Sequence, residues 1–146
     1  MKLRLEIIYS KLKELKNSLF YLNDFLPSDA KFLENRKDKN SLFKEAEVAI
    51  QYVIDICSVI NSDVSKIAPN DEDSIFISLE KERIISKELS KKLRTMKGFR
   101  NLLVHRYGEV DNDIAYDDIK NGLKDFEKFI IEIEKFLTKN KSGKKK

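Results

Sequence analysis

From Leu3 to Leu22 the apolar residues Leu5, Ile8, Leu12, Leu15, Leu19 and Leu22 recur every three or four positions, which traces one face of a long helix. Pro27 ends that helix, because the residue before a proline is pushed out of helical geometry, and Ser28 and Asp29 are placed to cap the next helix. A short, highly charged piece from about Asp29 to Asp38 comes next, with Phe32 and Leu33 as its anchors, and Asn40 and Ser41 offer a cap or a bend. A further helix then runs through Leu42, Ala46, Ala49, Ile50, Val53, Ile54, Cys57 and Ile60, where the two alanines are small enough for close helix packing. It frays near Asn61, Ser62 and Asp63, and the stretch to Ser74, which contains Pro69, Asn70 and Asp71, reads as the longest loop.

A short apolar helix is predicted around Ile75 to Lys81. Ser86 can cap the next helix, whose apolar face is Leu89, Leu93, Met96, Phe99, Leu102 and Leu103. Gly108 and then Asp111, Asn112 and Asp113 stop that helix and start the last one, whose core stripe is Ile119, Leu123, Phe126, Ile130, Ile133 and Leu137. The expected architecture is an all-α bundle of about five to six helices over residues 1–138. Residues 139–146, lysine-rich and without an apolar side chain to bury, form a solvated, mobile tail.

Composition narrows the class without naming a function. The 146 residues suit one domain, 41% hydrophobic residues suffice for a core, and only 4 Gly and 2 Pro leave too few turn signals for a sandwich or barrel. The formal charge of +4 is a small excess of 29 basic over 25 acidic residues, so the overall field attracts phosphate only mildly. The single cysteine, Cys57, cannot make an internal disulfide and lies in an apolar run, where it reads as a packing residue. Without a signal-peptide core or a membrane-length apolar run, the expected setting is a reducing cytoplasm.

The chemistry is concentrated in Arg100-Asn101-Leu102-Leu103-Val104-His105-Arg106-Tyr107, which holds the only histidine of the chain. At about 100° per residue, Arg100 and Tyr107 project almost the same way, whereas His105 sits about 140° from Arg100. The two converge if the helix ends or loosens near Val104, and Gly108 favours an ending there. His105 would then face the negative end of the helix dipole, which favours its protonated form. Histidine moves protons near neutral pH and arginine is a permanent cation, the pair that RNA cleavage through attack of the ribose 2′-hydroxyl requires. In that scheme His105 is the general acid or base and Arg100 stabilises the phosphorane-like charge, giving 2′,3′-cyclic phosphate and 5′-hydroxyl ends. Asn101 can hold the phosphate or orient the imidazole, and Tyr107 can bond phosphate or stack on a base. No cofactor is implied, and no compact carboxylate or histidine cluster has metal-site spacing. Gly98 sits inside this helix at a cost of about 1 kcal/mol relative to alanine, which points to close approach by a neighbouring helix or, second, by RNA.

The segment Gly98 to Tyr107 resembles the Arg-x4-His-x-Tyr signature of the HepT-like branch of the HEPN superfamily. Phe32-Leu33-Glu34-Asn35-Arg36, the helix with Ala46, Ala49 and Asp55, and Gly108 to Asp111 extend the likeness over roughly Met1 to Leu137. It departs around Ser74 to Glu80 and at Lys81-Glu82-Arg83, where the family has a more regular aromatic and leucine helix followed by a small residue. The resemblance implies a homodimer with two motifs facing one cleft, an RNA-cutting toxin, and an MntA-type nucleotidyltransferase antitoxin that adenylylates the motif tyrosine, here Tyr107. Adenylate there would put bulk and negative charge beside Arg100 and His105. The alternative is a non-catalytic HEPN subunit whose same pocket binds a nucleotide or the nucleotidyltransferase.

Overall fold

The computed structural model describes residues 2–65 and 68–144, with side chains as far as Asn140. Five α-helices make up the described chain: α1 (Leu5–Phe25), α2 (Arg36–Val64), α3 (Glu72–Lys81), α4 (Lys87–His105) and α5 (Asn112–Lys144). Helix α5 continues through residues 139–144, which the sequence assigns to a tail, while Lys145 and Lys146 lie outside the described residues. Among the described residues no helix is long and apolar enough to cross a membrane.

The core forms where the helical stripes meet. Ile8, Leu12, Leu15 and Leu22 of α1 are buried against Ala46, Ala49, Ile50, Val53 and Ile56 of α2, with Phe126, Phe129, Ile133 and Leu137 of α5 closing the interior. Burying each such side chain contributes about 1.5–3 kcal/mol before chain entropy opposes it. Cys57 is fully buried in this core, as a packing residue should be.

The caps fix where each helix starts. Asp71 and Ser74 form a reciprocal capping box at α3, the Ser86 hydroxyl accepts the Leu89 amide at α4, and Asp111 accepts the Ile114 amide at α5. Ser86 is also fastened to α5, its amide and hydroxyl donating to the Glu132 carboxylate at 2.6 and 3.0 Å.

The region after Pro27 differs from the sequence expectation. Only Ala30–Glu34 forms a separate 3₁₀ turn, in which Leu33 is buried but Phe32 is exposed rather than an anchor. The Asn35 side chain accepts the Asp38 amide and so starts α2 at Arg36. Asn40 and Ser41 therefore lie inside α2 and make no bend. An N-cap belongs wherever a side-chain oxygen reaches the first free amides, and Asn35 takes that role before Asn40 can.

Candidate active site on α2 and α4

Helix α4 carries the motif to its last residue, His105, and Tyr107 follows in a short 3₁₀ turn, Tyr107–Glu109. The Arg106 amide donates to the Leu102 carbonyl at 2.9 Å, which keeps the final turn in α-helical register. The helix ends within the turn the sequence indicates, one residue after Val104, but it does so in register and without loosening. Arg100 and His105 keep their separation of about 140° around the axis, and a single chain does not bring the two groups together.

Arg100 points into the seam between α2 and α3. Its guanidinium donates to the Gln51 amide oxygen at 2.9 Å and to the Glu72 carboxylate at 2.5 Å, and the side chain is only 15% exposed. Gln51 in turn donates to Asp55 at 2.8 Å, so the arginine is fixed by a chain of polar groups, while its buried Nε has no hydrogen-bond partner among the described residues. His105 has the opposite environment: its ring is exposed and hydrogen-bonds to no described residue. Asn101, half-buried, lies four positions before His105 and therefore on the same face of α4.

Gly98 belongs to this open face too. A methyl group there would meet nothing within 4 Å among the described residues, so the close approach expected at this glycine is not made by any described helix residue of its own chain.

Tyr107 turns back onto the first turns of α2. Its hydroxyl donates to the Asn40 side-chain oxygen, its ring packs edge-on against Phe43 with centroids 5.8 Å apart, and Lys39 Nζ lies 5.3 Å from the ring centroid. A recess of about 250 Å³ opens beside it, lined by Asn40, Phe43, Lys44, Glu47, Leu103 and Tyr107. Burial pushes the phenol above the ordinary tyrosine range, and the charge of Arg36 opposes that rise. Arg100 and Tyr107 do share one face, as their spacing predicts, but their anchors on α2, Gln51 and Asn40, are separated by about 16 Å of helix rise. Tyr107 thus rests on the N-terminal turns of α2, and Arg100 on the middle of that helix. Gln51 and Glu72 go unremarked in the sequence, and Asn40 reads there only as a cap or a bend. The one available clue was that Asn40, Lys44, Glu47 and Gln51 recur at helical spacing on a polar face of α2.

These features define a helical-bundle protein whose long fourth helix ends in an arginine, asparagine, histidine and tyrosine constellation. The sequence profile of the family described as Ribonuclease HepT-like matches residues 5–133, and the chain belongs to that family. It is 27% identical over 125 residues to the mRNA nuclease HepT of Shewanella oneidensis, covering 86% of this chain and 94% of that protein. It is 29% identical over 135 residues to the tRNA nuclease HepT of Aphanizomenon flos-aquae, covering 92% and 87%. Among solved structures, the tri-AMPylated Shewanella oneidensis HEPN toxin in complex with its MNT antitoxin superimposes with a TM-score of 0.81 at 27% identity, over 88% of this chain and 96% of that one.

Proposed function

We propose that this chain is the toxin of a toxin–antitoxin pair, a metal-independent endoribonuclease with Arg100 and His105 as its catalytic residues, working in the cytoplasm. The observation that carries the reading is the placement of Arg100, Asn101 and His105 on one helix with Tyr107 directly after it, in a chain whose relatives are RNA nucleases. The ribose 2′-hydroxyl attacks its own phosphodiester, His105 transfers the proton, and Arg100 stabilises charge on the phosphate oxygens. Asn101 orients the imidazole or the phosphate. One copy turns Arg100 inward and leaves His105 beside Gly98 on the open face of α4, and in this reading a homodimer brings two copies of the motif to one cleft. The partner is an MntA-type nucleotidyltransferase antitoxin, and adenylylation of Tyr107 silences the toxin, as the AMPylated relative in complex with its antitoxin supports.

A second reading draws on the Arg100–Glu72 ion pair: with the guanidinium already neutralised, the pocket would serve a non-catalytic HEPN subunit that binds a nucleotide or the nucleotidyltransferase. Cleavage of labelled RNA in EDTA by the wild type and by His105→Ala separates the two. Cyclic-phosphate ends from the wild type alone support the nuclease. Absence of cleavage across varied RNAs supports the binding subunit.

A further inference from the structure

The first turns of α2 present a cationic corner to Tyr107. Lys39 Nζ lies 5.7 Å from the Phe43 centroid as well as 5.3 Å from that of Tyr107, so one ammonium spans both rings that wall the recess. The neighbouring cations differ in how they are neutralised. Lys44 pairs with Glu47 at 3.0 Å and Arg106 with Glu109 at 3.7 Å, whereas Arg36 and Lys39 pair with no carboxylate among the described residues. Lys39 over the Tyr107 ring and Arg36, the first residue of α2, whose charge acts on the phenol, are both without a carboxylate partner among the described residues and lie at the positive end of a 29-residue helix, which favours an anion here. The recess next to them has an apolar floor of Phe43 and Leu103 and a polar rim of Asn40, Lys44 and Glu47, the mix that holds a nucleoside.

We propose that Arg36 and Lys39 receive the phosphodiester that adenylylation installs on Tyr107, and that the recess lined by Asn40, Phe43 and Leu103 takes the attached nucleoside. This rests on the reading that Tyr107 is the modified residue. In that transfer Tyr107 Oη attacks the α-phosphorus of ATP, the Oη–P bond forms, the P–O bond to pyrophosphate breaks, and the phenolic proton passes to solvent. The hydrogen bond from the Tyr107 hydroxyl to Asn40 disappears with that proton. Asn40 then turns its amide so that Nδ2 donates to the new phosphate oxygen. The unmodified tyrosine is thus parked against the groups that later hold its adenylate, and the modification locks a geometry already present.

The test uses full-length wild type, Arg36→Gln/Lys39→Gln, Lys39→Arg and Tyr107→Phe, each treated with an MNT-type nucleotidyltransferase and ATP. Release of AMP by a phosphodiesterase is then timed, and the ³¹P resonance of the modified protein is recorded. The expected result is release about tenfold faster from the double glutamine variant, with a shifted ³¹P resonance, and near wild-type protection in Lys39→Arg. Circular dichroism verifies that these surface substitutions leave the helices intact. Equal release rates and an unchanged resonance in wild type and double variant overturn the proposal while leaving Tyr107 modification standing. Equal labelling of wild type and Tyr107→Phe overturns the modification reading itself, and this proposal with it.

Discussion

Arg100 and Glu72 stand 2.5 Å apart in a half-buried ion pair that joins α4 to the first turn of α3. A phosphate that uses Arg100 has to compete with this carboxylate, or share the guanidinium through another nitrogen. Glu72→Gln removes the competing charge while keeping a hydrogen-bonding group, so the expected effect is a several-fold lower KM for RNA with kcat little changed. A fall in kcat at constant KM would instead make Glu72 a positioning residue for Arg100. Steady-state cleavage of a short labelled RNA distinguishes the two.

His105 is exposed and hydrogen-bonds to no described residue, so His105→Ala should leave stability within about 0.5 kcal/mol of wild type. Cleavage should fall by about 10²- to 10⁴-fold, the usual worth of a positioned proton-transfer group. Thermal denaturation and the cleavage assay, run on one preparation, give both numbers.

Gly98→Ala separates the chain from its assembly. Helix propensity favours the alanine by about 1 kcal/mol, and the added methyl meets nothing within 4 Å among the described residues. Under denaturant at low concentration, where the monomer dominates, the variant should be the more stable protein. If α4 helices meet across this face, the same methyl weakens the dimer, seen by sedimentation as a higher dissociation constant and in the assay as lost activity. A variant that is both more stable and equally dimeric would move the interface elsewhere.

Burial pushes the Cys57 thiol far above its ordinary range, so the thiolate that alkylating reagents need is absent at neutral pH in the folded state. Native protein should resist iodoacetamide, and labelling should appear only as the chain unfolds in denaturant. Rapid labelling of native protein would mean that α2 opens locally around Cys57.

The five helices and most of the core were legible because apolar spacing alone decides them. Leu12, Leu15, Ile50, Val53, Leu93, Phe126 and Ile133 are all buried as the stripes require. The start of α2 was not legible, since Asn35 and Asn40 are equally good caps in sequence and only the chain path after Leu33 selects the first. The motif residues could be named, but their relation could not. Whether α4 loosens before His105 depends on one backbone hydrogen bond, from Arg106 to Leu102, and the partners of Arg100 and Tyr107 come from helices far away in sequence. Gly98 illustrates the same limit: its cost is visible in the sequence, but the emptiness beside it is a property of the packed chain.

The fastening of Ser86 to Glu132 at the far end of α4 bears on how His105 is aimed. His105 is the tip of a 19-residue rod, about 28 Å long, and a rod clamped at its base turns as a unit. A small rotation at that clamp swings the imidazole through the same angle around the axis. The direction of the imidazole is therefore set in part at the opposite end of α4, and Glu132→Ala should lower the cleavage proposed for His105 without altering a residue beside it.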